Sequence, residues 1–155
     1  MLLIFYQIND TMSIVYQKVF IMEIVKERHA THLLHAHLVF VTKYRYKVLK
    51  GKHIEYLRTV FNETIEEMGG TLEEFDGEAD HVYLLIQYPP KWSISKIVNN
   101  LKGRSSRLLR RDMPDIKERY WGKAGLWHRS YFAGSVGGAP LEIVKQYIEQ
   151  QKTPD

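Results

Sequence analysis

The sequence predicts an α+β fold of the ferredoxin-like (RRM-like) type: a β-α-β-β-α-β antiparallel sheet, helices on one face, and one additional C-terminal helix. Two observations support this prediction. Stretches rich in β-branched and aromatic residues alternate with stretches whose apolar residues recur at helical spacing, and Gly or Pro separates many of them. Their order along the chain is β-α-β-β-α-β-α, a split βαβ arrangement followed by one more helix.

The first strand and the first helix come from residues 33–70. Leu33 to Thr42 is rich in Val, Phe and Thr near its end, which is typical of a strand. His53 to Met68 carries its apolar residues on one stripe and therefore predicts a helix. Gly69-Gly70 ends this helix, because glycine readily adopts the backbone conformation found just past a helix C-terminus.

A β-hairpin is predicted next. Thr71 to Phe75 is a short strand, Asp76-Gly77 is a turn signal, and Ala79 to Tyr88 is a strongly apolar strand. Pro89-Pro90 stops the second strand, because proline cannot donate a backbone hydrogen bond to a sheet.

The remaining predicted elements are a helix, a strand and a terminal helix. Ser93 is a suitable N-cap for a helix that runs to about Arg111 and breaks at Met113-Pro114. Leu126 to Val136 contains Trp, Tyr and Phe and predicts a strand. The last helix begins near Pro140, since proline is favoured in the first turn.

Composition favours one folded domain. The chain has 155 residues, of which 45% are hydrophobic and 26% charged. The absence of Cys excludes disulfides and thiolate metal sites and fits an intracellular protein, and no apolar run reaches the length of a membrane span. We expect a single domain over residues 31–155, preceded by an apolar-rich N-terminal extension over residues 1–30 to which no role is assigned.

Basic residues concentrate in the second predicted helix. The formal net charge is +4, and the segment 91–111 contains no Asp or Glu. Its basic residues are Lys91, Lys96, Lys102, Arg104, Arg107, Arg110 and Arg111. Such an excess favours a polyanionic partner such as nucleic acid, and the alternative is an ordinary solvated helix face.

Two short stretches combine basic and aromatic residues. Lys43-Tyr44-Arg45 follows the first strand, and the segment from Trp127 to Phe132 reads Trp-His-Arg-Ser-Tyr-Phe. Interleaving of this kind is frequent in proteins that bind single-stranded nucleic acid. The alternatives are an ordinary strand terminus for the first stretch and alternating core aromatics for the second.

Histidines with metal-binding capacity lie on two predicted strands. His81 and Tyr83 share one face of the central strand, because side chains alternate along a strand. The neutral phenol of Tyr83 is a poor ligand for Mg²⁺ or Mn²⁺. His35 and His37 form a second candidate pair on the first strand. For either strand, the alternative is a histidine whose hydrogen bonds are satisfied in the core.

The C-terminal helix presents a phenol beside a carboxamide. Tyr147 and Gln151 are four residues apart, so they share one face if the segment is helical. A tyrosine can act as a covalent nucleophile, and the glutamine oxygen can bind a hard cation. The pair becomes a site only if other residues supply further ligands.

Five segments together resemble one protein family. They are Leu38 to Arg45, Ala79 to Ile86, Ser95 to Val98 with Leu101-Lys102-Gly103, Leu126-Trp127 with Ser130 to Phe132, and Tyr147 to Gln151. In this order they are similar to the small single-tyrosine transposases of prokaryotic insertion sequences, the TnpA-like HUH enzymes of the REP-associated tyrosine transposase superfamily. The resemblance covers roughly residues 31–152.

The resemblance implies an enzyme that cleaves and rejoins DNA strands. Its expected substrates are single-stranded DNA hairpins at the element ends, and its tyrosine attacks a backbone phosphate to form a 5′-phosphotyrosine intermediate. A divalent cation, Mg²⁺ or Mn²⁺, orients and polarises the phosphate. The resemblance also implies a homodimer with active sites completed in trans, and a cytoplasmic prokaryotic protein that is nucleoid-associated when bound to DNA.

Carried onto this sequence, the resemblance makes Tyr147 the nucleophile and His81 and Gln151 the metal ligands. Tyr83 stands at the position of the second His of the HUH motif, and Asp80 is a candidate substitute ligand. The expected DNA-binding residues are Lys43, Arg45, Lys102, Arg104, Arg107, Arg110 and Arg111.

The missing histidine leaves two functions open. One is a transposase with impaired cleavage, because even changes outside the first coordination sphere cost about 10–100-fold in metal affinity or activity. The other is a non-catalytic hairpin-binding protein derived from such a transposase. A generic RNA-binding module is a third and weaker interpretation, because the central strands lack the paired aromatic signature of that class.

Overall fold

The computed structural model describes residues 25–27, 31–122, 125–135 and 141–151. Its strands are β1 (Val25–Lys26), β2 (Thr31–His32), β3 (His35–Val41), β4 (Thr71–Gly77), β5 (His81–Gln87) and β6 (Phe132–Ser135). The first two form a small antiparallel ribbon, and the other four form one antiparallel sheet in the order β4-β5-β3-β6. This sheet confirms the predicted α+β class.

In the described part of the chain, four α-helices connect or follow the strands of the main sheet. They are α1 (Gly51–Glu67), α2 (Ile94–Asp112), α3 (Pro114–Arg119) and α4 (Leu141–Gln150). Ser93 caps α2 as predicted, since its hydroxyl accepts the backbone N–H of Lys96 at 3.2 Å. The short helix α3 was not predicted, because Pro114 ends α2 but also occupies the first turn of a new helix.

The two faces of the sheet have different environments. One face packs on α1 and α2 and supplies the core residues Ala36, Leu38, Phe40, Val82, Leu84 and Ile86. Because strand side chains alternate, the opposite face carries His35, His37, Val39, Val41, His81, Tyr83, Leu85 and Gln87. His35, His37 and His81 therefore lie on the face of the sheet that points away from α1 and α2.

The predicted strand 126–136 is interrupted. Trp127 forms an isolated bridge with Thr42 and packs against Phe40 and Phe61, whereas β6 begins only at Phe132. Between them lies a turn over residues 128–130, which we call the 128–130 turn. Nζ of Lys102 on α2 donates to the carbonyl oxygens of His128 and Ser130 in this turn.

The ends of the predicted domain lie partly outside the described residues. Of the N-terminal extension, only residues 25–27 are described, and Pro140, the predicted start of the last helix, is not. Across the described ranges, no helix is both long enough and apolar enough to cross a membrane.

Candidate active site

Tyr147 lies on the last turns of α4 and is held from the 128–130 turn. Its hydroxyl is 2.9 Å from Oγ of Ser130, and its ring packs against Phe132 with 5.9 Å between ring centroids. Burial raises the pKa of the Tyr147 phenol, and the hydrogen bond with Ser130 opposes that shift. The phenol is thus protonated at neutral pH and has a defined position.

Gln151 follows α4 directly and shares the same neighbourhood. Its Nε2 donates to the carbonyl oxygen of Tyr147 at 2.8 Å, which orients the amide. Its Oε1 therefore points to the Ser130 hydroxyl, at 3.3 Å. The structure brings Tyr147 and Gln151 together, as their helical spacing predicts, and adds Ser130 as a residue that both contact.

The 128–130 turn is fixed by two kinds of contact. Nδ1 of His128 lies 2.9 Å from Ser130 Oγ and accepts the Ser130 backbone N–H at 3.2 Å. Nζ of Lys102 donates to the carbonyl oxygens of His128 and Ser130 at 2.6 and 3.2 Å. Burial lowers the pKa of Lys102 to about 8. From the sequence, His128 and Ser130 had no individual role. Both lie in the basic and aromatic stretch from Trp127 to Phe132, and Ser130 also lies in a resemblance segment.

His81 is oriented by its neighbour in sequence. Nδ1 of His81 is 2.8 Å from Oδ1 of Asp80, and Oδ2 of Asp80 accepts from Nε of Arg45 at 3.1 Å. The hydrogen bond from His81, followed by that from Arg45, lowers the pKa of Asp80 against the opposing effect of burial. A carboxylate on Nδ1 leaves Nε2 of the imidazole as the nitrogen that can bind a metal.

This arrangement gives Asp80 and Arg45 roles other than those expected from sequence. Both carboxylate oxygens of Asp80 are engaged, so the geometry favours a supporting residue over a substitute metal ligand. Arg45 reaches Asp80 from a tight turn in which its backbone and that of Tyr44 are left-handed, with φ values of 56° and 61°. Its Nε is thus bound to Asp80.

Tyr83 is bound to the neighbouring strand. Its hydroxyl forms a hydrogen bond with Nδ1 of His37, and the two rings lie 5.7 Å apart between centroids. Both side chains are buried, and burial, followed by the charge of His35, lowers the pKa of His37 to about 4. The Tyr83 phenol thus pairs with His37 as a structural contact. Where the structure is described, no group of three or more His, Cys, Asp or Glu could hold a metal ion.

His81 and the 128–130 turn lie on opposite edges of the same strand, β3. Val41 of β3 pairs with His81 of β5, and its carbonyl oxygen accepts the N–H of His128 on the other side at 2.8 Å. Adjacent strands are about 4.8 Å apart, so the two backbones are roughly 10 Å apart. Within the described ranges, no hydrogen bond joins His81 to Tyr147 or Gln151.

The basic residues of α2 divide into paired and available ones. Arg104 pairs with Glu67 at 2.7 Å and with Glu63 at 3.7 Å, and Arg111 pairs with Asp112 at 2.7 Å. A cleft of about 380 Å³ lies along the outer side of α2, lined by Gly103, Ser106, Arg107, Arg110, Arg111 and Lys117. We call it the basic cleft. Sequence reasoning did not single out its residue Lys117, which comes from the unpredicted helix α3.

Within the basic cleft, one arginine is unengaged. Arg107 has no ion pair or side-chain hydrogen bond with any described residue, whereas Arg110 donates to the Gly122 carbonyl oxygen at 3.0 Å. Among the other expected DNA-binding residues, Lys43 lies 5.7 Å from the centre of the Tyr44 ring, and Lys102 is committed to the 128–130 turn. Arg107 is therefore the arginine of the cleft whose charge has no partner among the described residues.

Comparison with known proteins identifies the family. The sequence model of the family described as "Transposase IS200 like" matches residues 30–151. The chain is 32% identical over 130 residues to the ISDra2 transposase TnpA of Deinococcus radiodurans, which covers 84% of this chain and 92% of that protein. It is 31% identical over 119 residues to the transposase for insertion sequence element IS200 of Salmonella typhimurium, with 77% of each chain covered.

A solved structure agrees with the sequence relatives. The crystal structure of a transposase from Deinococcus radiodurans R1 matches with a TM-score of 0.74 at 29% identity, over 84% of this chain and 99% of that chain. The chain therefore belongs to the IS200-like family of insertion-sequence transposases, whose activity is DNA recombination. The family predicted from the sequence segments is confirmed.

Proposed function

We propose that this transposase acts on single-stranded DNA hairpins at the ends of its element and that Tyr147 is the nucleophile. The observation that carries this proposal is the Tyr147 hydroxyl, which is held by Ser130 with the Gln151 amide beside it. The phenol oxygen attacks a backbone phosphate, forms a 5′-phosphotyrosine bond and releases a 3′-OH. Rejoining is the reverse reaction with a different 3′-OH.

A divalent cation is part of this proposal. His81 offers a ring nitrogen oriented by Asp80, and Gln151 offers a carboxamide oxygen, a donor set that fits Mg²⁺ or Mn²⁺ but with only two protein ligands. When bound, the cation polarises the phosphate and stabilises its developing charge. Because Tyr83 is engaged with His37, we propose weak metal binding and slow cleavage.

The substrate is expected to cross the basic cleft. Arg107, Arg110 and Lys117 present positive charge where a phosphate backbone can approach, and such contacts supply most of the sequence-independent affinity for DNA. We propose that the protein works in the cytoplasm and on the nucleoid when bound to DNA.

Two copies of the chain would complete the active sites in trans. Support comes from the separation of roughly 10 Å between the backbones that carry His81 and the 128–130 turn. In a homodimer, α4 of one protomer would bring Tyr147 and Gln151 to His81 of its partner. A mixture of Tyr147→Phe and His81→Ala protomers should then regain cleavage that neither variant shows alone.

The test of the whole proposal is formation of a covalent adduct. The protein is incubated with Mn²⁺ and with single-stranded oligonucleotides that carry the hairpins of its own element ends, then denatured and separated by size. We expect a slow adduct with the native chain, a faster one with Tyr83→His, and none with Tyr147→Phe. No adduct with either the native chain or Tyr83→His would refute cleavage by this protein.

The engagement of Tyr83 with His37 favours a second candidate function, hairpin binding without cleavage. In that case the protein would bind the same hairpins with an affinity that neither Tyr147→Phe nor a chelator changes, and it would form no adduct. Fluorescence anisotropy with labelled hairpins measures this affinity directly. Equal affinity for an unpaired oligonucleotide of the same length would contradict hairpin recognition.

A further inference from the structure

We propose that the ring of Tyr44 is a stacking platform for one unpaired base of the DNA strand, next to the phosphate that is cleaved. This inference rests on the proposed function, in which that phosphate lies beside His81, and it adds a residue that positions the strand there. Its basis is an exposed aromatic ring that is supported by other rings, lies among positive charges and is linked to His81 through hydrogen bonds.

The position of Tyr44 is unfavourable for an aromatic residue. Tyr44 lies in the tight turn Lys43–Arg45, which we call the 43–45 turn, and it is 45% exposed. Its φ of 61° and ψ of 8° are left-handed, a conformation in which Cβ crowds the following carbonyl oxygen of most residues. Residues held in such conformations are concentrated at active sites and ligand-binding sites. The fold thus keeps a large ring at the surface against the preference of its backbone, which points to a ligand.

The Tyr44 ring is supported by two further tyrosines. Tyr46 contacts it with 5.4 Å between ring centroids, and Tyr46 in turn contacts Tyr120 at 5.7 Å. Tyr120 is buried, and its hydroxyl donates to the carbonyl oxygen of Lys43 at 2.9 Å, which joins the end of α3 to the 43–45 turn. A side chain that is already held in place loses little freedom when a ligand binds, so this ring is preorganised for stacking.

Positive charges lie beside these rings. Nζ of Lys43 is 5.7 Å from the centre of the Tyr44 ring, and the guanidinium of Arg119 lies 3.9 Å from the centre of the Tyr46 ring. Neither cation has a carboxylate partner among the described residues. Surfaces of this kind bind single-stranded nucleic acid, because the rings stack on bases while the cations contact the phosphates between them.

Arg45 joins the platform to the candidate metal ligand. Its Nε donates to Oδ2 of Asp80 at 3.1 Å, and Oδ1 of Asp80 lies 2.8 Å from Nδ1 of His81. The 43–45 turn and His81 are therefore neighbours at one end of the sheet. A strand whose phosphate lies beside His81 would pass this turn, so that an adjacent base can stack on Tyr44.

The ligand of this ring is an unpaired base of any kind. Bases inside a duplex stem are already stacked on one another, whereas an unpaired base has a free face. Every base has such a face, so stacking tolerates any sequence. Tyr44 would thus hold the strand at the cleavage site without selecting which base lies there.

The first test measures hairpin binding by fluorescence anisotropy in excess chelator, so that neither metal nor cleavage contributes. Tyr44→Leu keeps an apolar side chain but removes the ring, and Tyr44→Phe keeps the ring. We expect Tyr44→Leu to weaken binding about tenfold, as the loss of one base–aromatic stack does, and Tyr44→Phe to bind as the native chain does.

A DNA strand that lacks one base identifies the partner of Tyr44. A single abasic site is moved through the stem and the unpaired flank of the hairpin oligonucleotide. At one unpaired position, we expect the native chain to lose about tenfold in affinity and Tyr44→Leu to lose nothing further, because its stack is already gone. Trp121→Leu, which removes an exposed ring outside the 43–45 turn, should still show the tenfold loss.

Two results would overturn the inference. One is native affinity in Tyr44→Leu. The other is the absence of any unpaired position at which the abasic loss disappears in Tyr44→Leu, including coupling to a base in the paired stem alone.

DNA cleavage separates this inference from the proposed function. If Tyr44 is coupled to one unpaired base but no covalent adduct forms even with Tyr83→His, the platform stands and the cleavage function falls. If the adduct forms and no base is coupled to Tyr44, the platform is refuted and the cleavage function stands.

Discussion

Replacement of Tyr83 by His should convert a protein that Mn²⁺ stabilises only weakly into one that Mn²⁺ stabilises strongly. Tyr83 is 5% exposed and its hydroxyl is bound to His37. A shorter imidazole loses that bond, and leaving a buried polar group without its partner costs about 1–3 kcal/mol. At about 2–4 °C per kcal/mol for a chain of this size, Tm should fall by about 2–12 °C in chelator.

Mn²⁺ should then reverse the loss. A second imidazole beside His81 strengthens the site, and a cation present at 100 times its Kd stabilises the fold by about 2.7 kcal/mol. This corresponds to a rise in Tm of about 5–11 °C. Thermal unfolding with and without Mn²⁺ measures both effects.

The matched control is Tyr83→Phe, which also removes the hydroxyl but supplies no ligand. It should show the loss in chelator and no recovery in Mn²⁺. The same Mn²⁺ response in Tyr83→His and Tyr83→Phe would refute the argument that position 83 controls metal binding.

Three further predictions concern the DNA surface, the core and the buried lysine. Arg107→Gln should weaken hairpin binding and reduce the slope of log Kd against log salt concentration by about one unit. Arg104→Gln removes an arginine that is paired with Glu63 and Glu67, so it should leave the slope nearly unchanged. A salt titration measures both slopes. Trp127→Ala should cost about 3–5 kcal/mol in urea unfolding, against less than about 0.5 kcal/mol for Trp121→Ala, which is 81% exposed. Burial lowers the pKa of Lys102 to about 8 in the folded chain. Between pH 8 and the ordinary lysine pKa, the unfolded chain therefore binds more protons than the folded one. The free energy of unfolding should rise from pH 8 to pH 10 in the native chain but not in Lys102→Gln.

Local sequence signals predicted most of the fold. The helical stripe of 53–68 and the Ser93 N-cap gave α1 and α2 to within two residues, because caps and periodicity act over a few positions. The strand predicted over 126–136 was too long. At the interruption, two carbonyl groups are bound by Lys102, more than 20 residues earlier in the chain, and no local pattern carries that information.

In the candidate site, too, local sequence predicted some contacts, whereas others depend on residues far apart in the chain. Tyr147 and Gln151 lie together because helical spacing dictates it, so their proximity was predictable. The contacts of Asp80 with Arg45 and of Tyr83 with His37 join residues 35 and 46 positions apart, and they depend on how the strands pair. Only the folded structure shows that Asp80 forms a hydrogen bond with His81 and that Tyr83 forms one with His37.

Lys102 links the helix beside the basic cleft to the 128–130 turn. It projects from the helix whose outer side lines the basic cleft, and its ammonium lies 2.6 Å from the carbonyl oxygen of His128. A hydrogen bond this short tolerates little stretching. If DNA binds at the basic cleft as proposed, any displacement of α2 along its axis would also move the 128–130 turn and, through Ser130, the hydroxyl of Tyr147.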